Sequence, residues 1–229
     1  MALFVTAALT GCGDGDSASG PDPDPEPNPP TPSEDTYAIG DYYEKGFIKG
    51  IVFQVDESGQ HGYILALEET SAVWSYKGED TMSGIPSDNG MTNCKRIYAK
   101  ENWKENYPGF LWAYEMNVMG LENWYVPSGL EYSKIYEAYT GQKPDDTGEG
   151  LSSLTSEAPT DREEHKAWFN ARITEKGGTP LSDDIYWTSG EMGLEIAYPF
   201  DMRTGYHYID YQDMVLKTKV YKFRAISKF

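Results

Sequence analysis

The stretch Asn123-Trp124-Tyr125-Val126-Pro127-Ser128, continuing as Gly129-Leu130-Glu131-Tyr132-Ser133-Lys134-Ile135-Tyr136, limits the folds open to this chain more than any other. A proline drives the residue before it into extended backbone, and a serine is a favoured helix N-cap. Within six residues the chain must arrive extended, turn and start a helix. This predicts a structural corner with Trp124 and Val126 buried, Pro127 setting the turn and Ser128 capping the helix. No chemistry is expected there.

Far upstream, the apolar residues Ala2, Leu3, Phe4, Val5, Ala7 and Ala8 run into Leu9-Thr10-Gly11-Cys12. A branched residue and two small ones ahead of a cysteine resemble the bacterial lipobox. That resemblance implies cleavage before Cys12 and lipidation of its thiol and new amine. The run falls short of the roughly 20 apolar residues that span a bilayer. It is also short for a signal peptide and lacks a basic leader, as expected if the start codon is assigned too far downstream. Residues 13–36 are acidic and then alternate proline with acid from Pro21 to Pro27. With no apolar face they form no core, and alternating prolines with like charges hold an extended stalk. Acids just after the cysteine, Asp14 and Asp16, resemble the surface-export signals of some Gram-negative lipoproteins. The expected organisation is a lipoprotein signal segment over 1–12, a disordered acidic Pro-rich stalk over 13–36, and one folded domain over 37–229.

Charge narrows the partners. The formal net charge is −18, with 37 acids against 19 bases. Seven of the acids precede Tyr37, where there is no Lys or Arg, so the folded part still holds 30 acids against 19 bases. Nucleic acids and anionic membrane surfaces are bound through clustered Lys and Arg, so neither is an expected partner. The membrane contact expected is the lipid at Cys12. A Cys12–Cys94 disulfide is conceivable, but anchoring Cys12 leaves Cys94 alone, either a small buried apolar residue or a reactive thiol.

In the folded part, 47–55 reads as a strand, Asp56–Gly59 as a turn and 61–67 as the returning strand. Residues 76–94, rich in Gly, Ser, Asp and Asn, read as loop. Pro108 opens a helix over 110–119 with Phe110, Leu111, Tyr114 and Val118 on one face and Gly120 as its cap. The helix after Ser128 turns Leu130, Ile135 and Tyr139 inward. Residues 140–158 read as polar loop. Asp161 caps a third helix with Ala167, Trp168, Phe169 and Ile173 on its apolar side, stopped by Gly177-Gly178. Strands follow at 185–189, 194–201 and 206–211, and a last strand, 220–226, alternates Val220 and Lys222 with Tyr221 and Phe223 as two distinct faces.

Catalytic patterns are not found. His61, His165 and His207 lie too far apart in sequence to show a metal spacing. No Gly-x-Ser-x-Gly elbow occurs. Asp145-Asp146 and Asp183-Asp184 are adjacent in loops rather than opposed across a cleft. The reading is a protein that is not an enzyme and has no cofactor or metal.

Three motifs occur in order: the 123–128 corner with its helix; Gly177-Gly178 followed by Tyr186-Trp187-Thr188-Ser189-Gly190-Glu191; and Lys219-Val220-Tyr221-Lys222-Phe223-Arg224-Ala225-Ile226. Together they resemble bacterial C-type-lectin-fold domains of the formylglycine-generating-enzyme-like type, including Lcl C-terminal-like modules, over residues 90–229. Trp124, Pro127, Ser128, Tyr186, Trp187 and Arg224 carry the pattern. The resemblance implies an α+β, C-type-lectin-like fold with a twisted antiparallel sheet, hairpins and two to three helices after the disordered stalk. Thr188 and Phe223 depart conservatively from it. The paired cysteines of the catalytic relatives and the calcium tripeptides of animal lectins are missing from the body, so the resemblance implies a fold without a known chemistry.

In that fold, ligands commonly bind between the Tyr-Trp strand and the last strand. Here that region holds Tyr198, Asp201, Arg203, Tyr206, His207, Tyr208, Asp210 and Tyr211, flat side chains with polar tips that suit ligand contact. Tyrosines packed under the sheet are the alternative. The function expected is a lipid-anchored surface lipoprotein, at the outer membrane or cell surface of a Gram-negative cell, presenting a domain that binds a glycan or protein. A structural or adhesin subunit of a surface assembly, and a hydrolase, are the alternatives.

Overall fold

The computed structural model describes residues 35–81, 89–117, 123–142, 159–207 and 215–229. Cys12 and the stalk through residue 34 lie outside these, as do Gly120, Asp145, Asp146, Tyr208, Asp210 and Tyr211. The described residues form an α+β fold of seven strands and five helices. In chain order these are β1 (Tyr42–Lys45), β2 (Ile48–Val55), β3 (Gly62–Val73), α1 (Gly90–Tyr98), α2 (Trp103–Asn106), α3 (Pro108–Glu115), α4 (Gly129–Thr140), α5 (Arg162–Thr174), β4 (Ile185–Glu191), β5 (Ala197–Asp201), β6 (Tyr206–His207) and β7 (Val220–Lys228).

The strands form one sheet in the order β1-β2-β3-β7-β4-β5-β6. Neighbours are antiparallel except β4 and β7, which are parallel at Tyr186↔Lys222. The expected wholly antiparallel sheet is therefore corrected at one seam. β7 enters between β3 and β4, and its antiparallel pairing with β3 fixes its direction along β4. That central position also overturns the two-faced reading of the last strand. Phe223 to Ser227 are all buried, because α3 packs on β7 and neighbouring strands flank both edges.

The β2–β3 hairpin turns where Asp56 Oδ1 accepts hydrogen bonds from Ser58 N at 3.0 Å and Ser58 Oγ at 2.6 Å. β3 runs on to Val73, six residues past the expected end, because its second half pairs with β7.

Two helices, α1 and α2, fall where none was expected. Asn89 caps α1 by accepting from Thr92 N at 3.2 Å, and Gly90, Asn93, Cys94 and Ile97 face inward. The spacing is helical, but a glycine, an asparagine and a cysteine occupy three of four inward positions and hide the stripe. α3 buries Gly109, Phe110 and Ala113, leaving Leu111 and Tyr114 half-buried. A β-carbon on Gly109 would lie 2.3 Å from the Phe223 ring, so the small residue lets α3 approach β7 closely. α4 buries Tyr132, Ile135, Tyr136 and Tyr139, with Leu130 only half-buried, and α5 buries Phe169 and Ile173 while exposing Ala167. Asp161 precedes α5 without a side-chain capping bond.

The corner joins these parts. Ser128 Oγ accepts from Glu131 N at 3.3 Å, and Glu131 Oε2 accepts from Ser128 N at 2.7 Å, a reciprocal capping box. The same carboxylate accepts from Gly90 N at 3.1 Å, at the start of α1, and from the Tyr125 hydroxyl at 2.8 Å. Tyr125 pairs with Ile226 of β7 through two backbone bonds of 3.0 Å, and Pro127 O accepts from Ser189 N of β4 at 2.7 Å. Asn117 Oδ1 accepts from both Asn123 N and Trp124 N at 2.7 Å, tying the end of α3 to the corner.

At the sheet's centre the β3–β7 register jumps from Leu65↔Ile226 to Glu69↔Arg224, so β3 bulges at 66–68. Arg224, fully buried, fills the break. Its guanidinium donates to Ala66 O at 3.0 Å, Leu67 O at 2.8 Å, Glu69 Oε2 at 3.1 Å and Thr179 O at 2.5 Å. Without it Ala66 O would be buried unpaired, at a cost of about 1–3 kcal/mol, while Leu67 O would keep only Thr179 N.

Replacing Arg224 with Met should lower unfolding stability by roughly 2–6 kcal/mol, because it leaves Ala66 O and Thr179 O without their donor, at about 1–3 kcal/mol each. Leu67 O keeps Thr179 N, and Glu69 keeps Lys222 and the Tyr186 hydroxyl. Ser128→Ala should cost only about 1 kcal/mol, the usual worth of an N-cap. Urea unfolding followed by tryptophan fluorescence ranks the two, and equal losses would refute this account of Arg224.

Candidate functional site

The tyrosine-rich turn is the first candidate. β5 and β6 pair at Phe200↔His207 and Asp201↔Tyr206, and every residue of β5 is buried. The turn between them is held by its own carboxylate: Asp201 Oδ1 accepts from Arg203 N at 2.8 Å, and Oδ2 from Arg203 Nη2 at 3.3 Å. Arg162, at the start of α5, donates to Arg203 O at 2.6 Å. Of the residues singled out in sequence, Tyr198, Asp201 and His207 are buried, Tyr206 is half-buried and Arg203 is exposed. These five form no continuous exposed patch. α4 covers β5, stacking the Tyr132 ring on Phe200 at 5.7 Å, which leaves the inward residues no route to a ligand. For Tyr198 the packing alternative describes the geometry.

His207 lies against the first turn of α4, where a β-carbon on Gly129 would fall 1.7 Å from Cε1, so only glycine fits. Its Nε2 is buried without a hydrogen bond among the described residues, and burial lowers its pKa to about 3. It therefore stays neutral and is not a proton shuttle near neutral pH.

Two other buried groups have reactive side-chain types. Cys94 is fully buried, its Sγ 3.7 Å from Val126 O, and burial pushes the thiol up to about 12. Thiolate chemistry is closed to it. Lys217 is enclosed beneath the Trp74 ring at 4.6 Å, donating to Glu79 O at 2.7 Å, Gly193 O at 2.8 Å and the Glu191 carboxylate. Burial pulls its pKa down, and Glu191 opposes the shift. With three acceptors around the ammonium, Lys217 anchors the segment between Ser75 and Thr81 rather than attacking anything. Trp187, fully buried, donates from Nε1 to Lys219 O at 3.2 Å and belongs to the core.

A groove of about 460 Å³ between β2, α4 and α5 is the second candidate. Phe53, Gln54 and Val55 line one side, Lys134, Glu137 and Ala138 another, and His165 and Trp168 a third, with Ile39 at the rim. His165, Trp168 and Arg172 share one face of α5 at helical spacing, beside the buried Phe169–Ile173 stripe. The sequence pointed to Trp168 as core; the structure places it with His165 on this wall, 37% exposed. The offset of Trp168 from the two-residue apolar stripe is the signal that would have separated it from the core. Among the described residues, no group of His, Cys, Asp and Glu is arranged to hold a metal ion.

No protein-family model and no characterised protein matches the chain. Among solved structures it is similar to a fimbrial protein from Bacteroides ovatus ATCC 8483, with a TM-score of 0.54 and 14% sequence identity. The match covers 84% of this chain and 49% of that one, so the chain spans about half the fimbrial protein's length. At this identity the likeness is one of fold. Among the described residues, no helix is long and apolar enough to cross a membrane.

The burial of His207 makes stability depend on acid. Its folded-state pKa lies below the ordinary 6.5, so the unfolded chain takes up the proton first. The contribution is complete above about 6.5 and drains away as pH falls toward about 3. Within that window this residue should add up to about 1.4 kcal/mol of destabilisation per pH unit. Urea midpoints across the acid range should fall less steeply in His207→Asn than in the wild type. Parallel slopes would mean that His207 is charged in the folded protein.

Proposed function

We propose that this chain is a lipid-anchored surface protein in which Cys12 carries the lipid, residues 13–36 stand the domain off the membrane, and residues 37–229 bind a ligand. The observation that carries this reading is the apolar run ending in Leu9-Thr10-Gly11-Cys12 with an acidic, proline-alternating stalk directly behind it. A lipidated cysteine and an extended spacer serve a domain that must reach beyond a bilayer surface.

The C-type-lectin-like reading of the domain draws on how its motifs come together. The 123–128 corner bonds to β7 at Ile226 and to β4 at Ser189, and Arg224 of β7 donates to Glu69, which also accepts from the Tyr186 hydroxyl at 2.9 Å. Motifs about a hundred residues apart in sequence thus form one connected structural unit. The fold likeness to a fimbrial protein favours a second reading, in which the chain is an adhesive or structural subunit of a surface assembly. The two differ in whether the protein acts alone: cross-linking on intact cells should yield the single chain under the first and a ladder of partner subunits under the second.

Growth with a radioactive or clickable palmitate should label the wild-type protein, and Cys12→Ser should abolish the label and release the protein from the membrane fraction. Label that persists in Cys12→Ser would overturn the anchoring.

A further inference from the structure

We propose that the groove between β2, α4 and α5 binds a neutral sugar ring stacked against Trp168. This rests on the reading of the domain as ligand-binding and gives that ligand a chemical class and a place.

The wall of the groove is built rather than incidental. Phe53, Gln54 and Val55 are consecutive, and a regular strand would send Gln54 to the opposite face from its two neighbours. All three line the groove because β2 bulges against β3 between Val52 and Gln54, and a bulge re-aims side chains. The result sets a polar amide between two apolar residues. Gln54 is half-buried, and its amide has no hydrogen-bond partner among the described residues.

Trp168 is likewise held in place. Gly40, at φ +88°, sits so close beneath the indole that a β-carbon there would lie 2.6 Å from Cη2. The His165 ring meets the indole edge-on at 5.3 Å, and the Arg172 guanidinium lies 5.6 Å from its centroid. A partly exposed aromatic surface fixed on several sides loses little entropy on contact with a ligand. His165 is positioned in turn: Nδ1 lies 3.4 Å from Tyr139 O, a carbonyl that can only accept, so Nδ1 donates there. Gly141, at φ +72°, closes α4 without a side chain beside that ring.

The chemistry of the lining selects the ligand. An apolar strip and an aromatic plane are rimmed by Gln54, His165 and the Lys134–Glu137 pair, whose charges lie 3.6 Å apart and offset each other. An anion would meet the Glu137 carboxylate, and a purely apolar ligand would strand the Gln54 amide. A pyranose ring has a face of C–H groups that suits the electron-rich face of an indole and an edge of hydroxyls that both donate and accept. The groove volume, about 460 Å³, falls within the range of small-ligand sites.

Saturation-transfer NMR on the purified full chain, against neutral oligosaccharides of glucose, galactose, mannose, xylose and N-acetylglucosamine, tests this. Transfer to the ring protons of at least one sugar is expected. Trp168→Ala and Gln54→Ala should each weaken it by about tenfold, and Trp168→Phe by less, as the loss of an aromatic contact or a hydrogen bond implies. Gly40→Ala, which displaces the indole, should weaken it too. Circular dichroism and urea midpoints establish that each variant is folded, and Gln54→Ala carries the test if Trp168→Ala is not. No transfer to any sugar, or transfer unchanged in folded Trp168→Ala and Gln54→Ala, overturns the proposal. Transfer lost instead in Tyr206→Ala would keep the domain ligand-binding while refuting this groove. Capture of a protein partner that depends on Trp168, with no sugar signal, would refute the sugar.

Discussion

A guanidinium holds the middle of this sheet together. β7 cannot pair continuously with β3, because β3 carries extra residues between Leu65 and Glu69, and a bulge in a central strand leaves backbone carbonyls facing the protein interior. Arg224 resolves this by supplying a rigid fork of donors to Ala66 O, Leu67 O and Thr179 O, with Glu69 balancing its charge. Lys222, two residues back on the same strand, lies against Glu69 and Asp184. Burial works against its charge, but these carboxylates outweigh it and hold its pKa above the ordinary value. The loop after α5 docks at the same place, since Thr179 N also donates to Leu67 O at 2.8 Å. One buried cation thus sets the β3–β7 seam and where the chain re-enters the sheet after its helices.

The second fixed point is the corner at 124–131. Its extended arm forms a short bridge to β7, its proline carbonyl bonds to β4, and its helix cap shares a carboxylate with the start of α1. Glu131 therefore acts beyond the helix it belongs to: it satisfies the first amides of two helices and the hydroxyl of a buried tyrosine. With corner and seam both anchored to β7, α4 lies in a defined position over β4 and β5 and next to α5. The groove lies where α4 and α5 meet β2. In the same arrangement α4 covers His207 at Gly129, and Tyr198 packs against His207.

Much of the skeleton was legible from local chemistry. The hairpin over 47–67, the capped helix after Ser128, the helix around Phe169 and the closing strand all follow from period, turn residues and caps. α1 was not legible because it turns Gly90, Asn93 and Cys94 inward, and a stripe of small and polar residues leaves no apolar period to read. The burial of Tyr198, Asp201 and His207 was not legible for a related reason. Aromatic residues with polar tips look alike in sequence whether they sit under a helix or line a groove, and Trp168 differs from Phe169 by a rotation of about 100° on a helix.

The sequence by itself determined that the chain turns at 56–59 and at 127–128 and that the strongly patterned segments beside those turns are extended or helical, because each of these is written in neighbouring residues. Only the tertiary structure decided that β7 enters between β3 and β4, that Arg224 closes a bulge more than 150 residues away in sequence, and that Gln54, His165 and Trp168 face one another. Those outcomes depend on strand register and helix docking. They are settled by the burial of carbonyls and rings between distant segments, a cost that no local pattern records.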